Sequence, residues 1–116
     1  MIIELREYLA LPGREEELHR RFAEETLGLF EEAGLDLRGF WHVVGERRRI
    51  VYACAFEDVA AAVTHWDTFR ADPRWIALKE RTEAQGPLIE EIVSTYLVEP
   101  EYATSRRVPP AVSTLF

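Results

Sequence analysis

Apolar and polar positions alternate along four short runs of the chain, and two longer segments between them have helical periodicity. The strand-like runs are Ile2 to Leu9, Leu37 to Val44, Ile50 to Phe56 and Ile89 to Val98. The helical segments run from about Arg14 to Ala33 and from Asp58 to about Gly86. This order predicts an α+β, ferredoxin-like βαββαβ fold, with a four-stranded antiparallel sheet in the order four-one-three-two.

Capping residues mark where the predicted helices begin and end. Gly34 ends the first helix, Asp58 caps the second, and Asp72 followed by Pro73 restarts it. The buried stripe of the first helix is predicted to be Leu18, Phe22, Thr26, Leu29 and Ala33, and that of the second Val59, Ala62, Val63, Trp66 and Phe69. Trp75 and Leu78 are predicted to face inward after the restart.

The strand runs are apolar on both faces, and two helices can cover only one face of a four-stranded sheet. We therefore expect a homodimer whose two sheets enclose a cavity. In the third strand, alternation places Tyr52, Cys54 and Phe56 on one side and Val51, Ala53 and Ala55 on the other. Because small residues let a helix approach closely, we assign the second side to the helices and the aromatic side to the cavity.

Composition narrows the class of protein. At 116 residues, with 47% apolar and 30% charged residues, the chain is predicted to form one domain that is soluble and globular. A net charge of −7 argues against nucleic acid or an anionic membrane as partner. The single cysteine, Cys54, excludes an intrachain disulfide and reads as a buried structural thiol. With no run of 18 apolar residues and no signal-peptide pattern, we expect a cytoplasmic protein.

Three stretches carry a resemblance to a known family. They are Ile3-Glu4-Leu5-Arg6-Glu7-Tyr8 with Leu11-Pro12-Gly13, then Gly39-Phe40-Trp41, then Ala71-Asp72-Pro73-Arg74-Trp75. Together they resemble the NIPSNAP family of the dimeric α/β-barrel superfamily. The resemblance implies a domain over residues 1–99, protomers that pair face to face, and a C-terminal tail over residues 100–116 outside the domain. It implies no defined reaction, because the family has no agreed biochemical activity.

The first strand carries the best candidate site. Glu4, Arg6 and Tyr8 share one face, and a charged pair on a buried face is costly unless it is paired. Arg6 could bind a carboxylate or enolate with its forked guanidinium group. The alternative is a structural ion pair between Glu4 and Arg6, at the barrel rim or between subunits.

The other candidate ligand-binding residues are Phe40, His42, Tyr52 and Tyr96, which strand parity directs with Tyr8 toward one cavity. Such a lining suits a flat aromatic molecule, although aromatic packing alone explains the same pattern. His42 could act as a general base, or be a core histidine bonded to backbone. The three histidines have no metal-ligand spacing, and we expect neither a metal nor a cofactor.

Three functions remain open. The first is a homodimeric, NIPSNAP-like domain that binds a small aromatic or acyl molecule between its sheet and helices. The second is a cofactor-independent monooxygenase or isomerase acting on an aromatic or polyketide-like substrate, with Arg6, His42 and Tyr52 in catalytic roles. The third is an interaction module that uses its tail, which contains Arg106-Arg107, Pro109-Pro110 and Leu115-Phe116.

Overall fold

The computed structural model describes residues 1–104 and contains one antiparallel sheet of four strands. The strands are β1 (Ile2–Ala10), β2 (Asp36–Val43), β3 (Glu46–Phe56) and β4 (Ile89–Leu97), in the order β2-β3-β1-β4. Read from the β4 edge this is the predicted order, and every neighbouring pair is antiparallel. The predicted α+β, ferredoxin-like fold is confirmed.

The helices follow the predicted capping residues. They are α1 (Glu15–Arg21), a π-helical segment (Phe22–Thr26), α2 (Leu27–Glu32), α3 (Val59–Arg70), α4 (Pro73–Thr82) and α5 (Glu101–Thr104). The Asp58 carboxylate accepts a hydrogen bond from the Ala61 amide at 2.8 Å, and Asp72 accepts one from the Arg74 amide at 2.9 Å. Among residues 1–104, no helix is long and apolar enough to span a membrane.

The π-helical segment shifts the buried face of the first helix. Because a π turn holds one extra residue, the stripe continues from Thr26 to Phe30. The predicted burial of Ala33 is wrong for this reason, since Ala33 is exposed, and Leu29 is only half-buried although it packs against the core. In α3 the inner stripe is narrower than predicted, since Ala62, Trp66 and Phe69 are buried whereas Val59 and Val63 are exposed.

The assignment of the two sheet faces is also wrong, and the two faces are exchanged. The side chains of Tyr8, Ile50, Tyr52 and Cys54 are buried against the helices, where they pack with Phe22, Phe30, Trp66 and Phe69. Large rings are needed on that side because they fill the space between the sheet and the helical layer. We call this side, which carries Glu4, Arg6, Tyr8, Tyr52 and Ser94, the helix-covered face.

The opposite side of the sheet, which we call the open face, carries mostly aliphatic and small residues, with Trp41 and the charged Glu7 among them. Its members include Ile3, Leu5, Glu7, Trp41, Val51, Ala53, Ala55, Val93 and Leu97. The Trp41 ring lies over Gly39, where an added Cβ would stand 2.2 Å from its Cη2 atom. The ring remains 53% exposed, with Val93 and Leu97 at 41% and 44%. The part of the chain that the structure describes therefore leaves an apolar surface uncovered.

The predicted tail lies largely outside the described residues. Glu101–Thr104 forms α5, and the residues proposed for recognition, Arg106 to Phe116, fall beyond the described range. The division into a domain over residues 1–99 and a tail stays a prediction.

Candidate functional site

A cavity of about 190 Å³ lies between the helix-covered face and the helices. Its walls come from β1, β4, the first helix, α3 and α4. The lining is mostly aromatic and aliphatic, with Thr26 and four cationic side chains. The lining residues are Arg6, Tyr8, Arg21, Phe22, Thr26, Phe30, Trp66, Phe69, Arg70, Trp75, Lys79, Ile89 and Ile92.

Behind the cavity, the Glu4 carboxylate is buried and fully bonded. Its Oε1 accepts a hydrogen bond from Trp66 Nε1 at 2.7 Å. Its Oε2 accepts one from Arg6 Nη1 at 3.1 Å and another from the Ser94 hydroxyl. A buried carboxylate is tolerated only when it is paired in this way. The Glu4–Arg6 pair predicted from the sequence is present, and it forms within one protomer, against α3.

Arg6 joins that carboxylate to a pair of phenols. Its Nε donates to Tyr52 Oη at 2.9 Å and its Nη2 to Tyr8 Oη at 3.2 Å. The guanidinium also stacks over the Trp66 ring, with Cζ 4.4 Å from the ring centroid. Burial acts to lower the pKa of Arg6, but the adjacent Tyr8 and Tyr52 oxygens outweigh it and the pKa is raised. Arg6 therefore stays charged and fixed on the floor of the cavity.

The two phenols are bonded to each other. Tyr8 Oη and Tyr52 Oη are 2.8 Å apart, and Phe40 stacks on Tyr52 with an interplanar angle of 13°. Burial, with a smaller contribution from Tyr8, raises the pKa of Tyr52 well above its ordinary value. Tyr52 is therefore a neutral hydrogen-bonding group at physiological pH.

The π-helical segment forms the opposite wall. Phe22 and Thr26, its first and last residues, both line the cavity. Thr26 is only 3% exposed, and its Oγ1 has no hydrogen-bond partner in the described structure. Just before the segment, Arg21 donates to Glu83 at 3.0 Å and to Thr82 at 3.2 Å. π turns are frequent at functional sites, and this one leaves a buried hydroxyl beside the cavity.

Two neighbouring groups are tuned by burial. Burial raises the pKa of the Cys54 thiol to about 12, and the Glu4 charge adds to this. The predicted buried, structural thiol agrees with this environment. Burial lowers the pKa of His65, whose ring packs on Trp66 with the centroids 4.8 Å apart. Its Nε2 is buried without a hydrogen-bond partner among residues 1–104.

The predicted site residues divide into three groups. Arg6 and Tyr8 line the cavity, and Glu4 and Tyr52 hold them from behind. Phe40 supports Tyr52 through stacking.

His42 and Tyr96 do not line the cavity. His42 is exposed on β2, and its ring packs against His19 at a centroid distance of 5.6 Å. Tyr96 is exposed near the end of β4. Strand parity gave the correct face for His42 and Tyr96, but they lie on the two edge strands β2 and β4, outside the lining of the cavity. The hypothesis that His42 removes a proton from a bound substrate therefore has no support in the geometry.

Sequence reasoning missed most of the helical wall. It did not assign Thr26, Phe30, Arg70 or Lys79 to the site, and it read Trp66 and Trp75 as core residues. The only signal was the concentration of rings on the inner helix faces, which a solid core produces equally well. The extra residue of the π turn, which brings Phe30 inward, leaves no mark in the hydrophobic pattern.

A family model describes this arrangement of strands and helices. The NIPSNAP model matches residues 3–103, nearly all of the described chain. The chain belongs to the NIPSNAP family. A comparison with curated proteins gave no match.

Solved NIPSNAP structures share this fold. An uncharacterized NIPSNAP domain protein from Burkholderia xenovorans is 27% identical, with a TM-score of 0.73 over 88% of this chain and 97% of that one. A NIPSNAP family protein from Agrobacterium tumefaciens is 20% identical, with a TM-score of 0.74 over 87% of this chain and 94% of that one.

The fold is shared outside the family as well. A proposed antibiotic biosynthesis monooxygenase from Nitrosomonas europaea is 12% identical, with a TM-score of 0.59 over 85% of this chain and 98% of that one. At this identity the likeness shows the fold alone.

Proposed function

We propose that this NIPSNAP protein binds a small molecule, a single-ring aromatic or short acyl compound, in the cavity between its sheet and its helices. The observation that carries the proposal is a ring-walled cavity of about 190 Å³. An apolar cavity of roughly 150 Å³ in a protein core is large enough to bind benzene. The size therefore suits one ring with a substituent and excludes large polycyclic ligands.

The polar floor of the cavity supports a binding role. Small-molecule sites combine apolar walls with a few fixed polar groups that orient the ligand. Here Arg6 and Tyr8 are the polar groups of the floor, and Arg6 is held by Glu4 at 3.1 Å and by Tyr52 at 2.9 Å. Such a network is already arranged before a ligand enters, so little ordering is required on binding.

The test is a substitution that fills the entrance of the cavity. Ile92 lines it from β4. We expect Ile92→Trp to abolish binding of benzoate, benzyl alcohol or hexanoate, measured by ligand-observed NMR and calorimetry. Val63→Trp, on the exposed side of α3, is the matched control and should bind as the wild type does. The proposal fails when none of the three compounds binds the wild type, or when Ile92→Trp binds them equally well.

We also propose that a second copy of the chain covers the open face. Trp41 lies on β2 at one edge of the sheet, and Val93 and Leu97 lie on β4 at the other edge. Each of these apolar residues is more than 40% exposed. Large apolar side chains exposed at both edges of one sheet face favour a protein partner on that face. Face-to-face pairing of two such sheets would remove the patches of both copies from water, as the NIPSNAP resemblance implies.

A further inference from the structure

We infer that the ligand is an anion whose ring or chain fills the cavity, whose carboxylate lies at the mouth on Lys79, and whose second polar group bonds Thr26. This inference rests on the proposed function and adds the chemical class of the ligand. It combines three observations: the sign of the charges in the lining, their pairing, and a buried hydroxyl without a partner.

The charged side chains that line the cavity all have the same sign. They are Arg6, Arg21, Arg70 and Lys79, and no carboxylate lines it among the described residues. The two inner charges are already compensated. Arg6 is bonded to Glu4 at 3.1 Å and Arg21 to Glu83 at 3.0 Å, and all four side chains are largely buried. The polar groups in the deep part of the cavity therefore carry charges that are already compensated.

The outer two cations differ from the inner pair. Arg70 bonds Asp67 at 2.7 Å on its own helix, with both side chains more than half exposed. Such exposed ion pairs contribute little to stability. Lys79 has no ion pair or hydrogen bond to a side chain in residues 1–104. The adjoining groove holds Lys79 together with the carboxylates Glu80 and Glu83, of which Glu83 is bonded to Arg21. Neither carboxylate lines the cavity or forms an ion pair with Lys79 in the described structure, so the ammonium group of Lys79 can bind a ligand carboxylate.

Thr26 supplies the third point of recognition. Among the described lining residues, Thr26 is the only one with an aliphatic hydroxyl group. Its Oγ1 atom is buried and has no hydrogen-bond partner in the described structure. An unpaired buried hydroxyl costs free energy that a ligand's hydroxyl or carbonyl group would recover. Rotation about one side-chain bond exchanges the hydroxyl and methyl positions of a threonine. The predicted ligand is therefore a single-ring or short-chain carboxylate with a second oxygen function, such as a hydroxybenzoate.

The first arm of the test concerns charge. We expect the wild type to bind benzoate about tenfold or more tightly than benzamide, the effect of one charge-assisted hydrogen bond. Lys79→Met should remove this preference and leave benzamide binding unchanged. Arg20→Met removes the same charge from an exposed position that does not line the cavity, and should keep the preference. Calorimetry measures each affinity.

A direct readout is available because Lys79 is the only lysine of the chain. Reductive ¹³C-methylation gives it a single side-chain NMR signal, apart from that of the N-terminus. Benzoate should shift this signal, and benzamide should leave it in place. An unshifted signal on benzoate binding would overturn the assignment of Lys79.

The second arm concerns Thr26. Among the three hydroxybenzoate isomers, at least one should bind more tightly than benzoate, and Thr26→Val should cancel that gain with no loss of benzoate binding. Thr68→Val, on the exposed side of α3, is the control. When the ring compounds bind but show no preference for charge or hydroxyl, the inference fails and the proposed function stands. When nothing binds, or Ile92→Trp binds normally, the proposed function itself fails.

Discussion

The two faces of the sheet differ in a way that reverses the usual expectation. The helix-covered face carries the polar side chains Glu4, Arg6 and Ser94, of which Glu4 is fully buried and Arg6 half-buried. The open face carries aliphatic side chains such as Val93 and Leu97, and these are exposed. The buried face tolerates its charges because every polar atom of Glu4 has a donor.

The difference matters because the two proposed functions assign different partners to the two faces. A polar network that is already bonded can orient a small molecule without further ordering. A face that exposes apolar side chains gains free energy when a second apolar surface covers it. Under these proposals, bonded charges mark the small-molecule site and exposed apolar side chains mark the interface.

Among the substitutions that test the difference between the two faces, removal of the buried Glu4 charge should have the largest effect on stability. Glu4→Gln keeps the size of the side chain but leaves the Arg6 guanidinium uncompensated. We expect the free energy of unfolding to fall by about 3–5 kcal/mol, the usual cost of breaking a buried ion pair. Urea denaturation followed by circular dichroism measures it.

Glu7→Gln is the matched control, three residues along the same strand on the open face. It should change the free energy of unfolding by about 0.5 kcal/mol or less. Adding Arg6→Met to Glu4→Gln should restore part of the stability, since both charges are then gone. Equal losses for Glu4→Gln and Glu7→Gln would contradict the distinction between the two faces.

A charge on the open face should disturb assembly and leave the fold intact. We expect Val93→Glu to raise the dissociation constant of the proposed homodimer about tenfold to a hundredfold, because a carboxylate would be buried without a partner. Sedimentation over a range of concentrations measures this constant. Val63→Glu adds the same charge on exposed α3 and should leave it unchanged. A wild-type protein that sediments as a monomer at micromolar concentration would refute the dimer.

The smallest expected effect is a pH dependence of the free energy of unfolding, which arises from His65 in the helical layer over the helix-covered face. Burial holds the pKa of His65 below its ordinary value of 6.5. His65 therefore binds a proton more tightly in the unfolded chain than in the folded one. Because of this difference, the free energy of unfolding should fall as the pH is lowered from 6.5 through the pKa of the folded state. Glu4 opposes this shift and Arg6 adds to it. Both face His65 from the sheet.

Urea denaturation between pH 5 and 7.5 tests the effect. His65→Gln should flatten the dependence in that interval. His42→Gln, at the exposed edge of β2, is the control. An unchanged slope in His65→Gln would assign the dependence to another group.

Much of the fold could be predicted because its signals are local. Alternation in β1 and the caps Asp58 and Asp72 depend only on nearby residues, and each is present in the structure. The Glu4–Arg6 pair could be predicted as well, since any burial of that strand face requires it. The partial exposure of Leu29 and the exchanged faces of β3 could not be predicted from the sequence. Both a π turn and the choice of buried face depend on packing between the sheet and the helical layer.

The candidate site could be predicted only in part for the same reason. Strand parity identified Arg6 and Tyr8, which line the cavity, but also His42 and Tyr96, which do not. Parity states which side of a sheet a residue occupies and nothing about how far the covering helices extend. The helical contributors Thr26 and Lys79 carry no signal in their own segments that separates a cavity wall from a core.

The sequence by itself determined the element order, the strand order, the helix caps and the need to pair a charged couple on β1, because these follow from periodicity and local chemistry. Only the tertiary structure decided which face the helices cover, where the cavity lies and which cations are left without a carboxylate. Those properties depend on side chains from five elements meeting across two layers, and no local pattern encodes such distances.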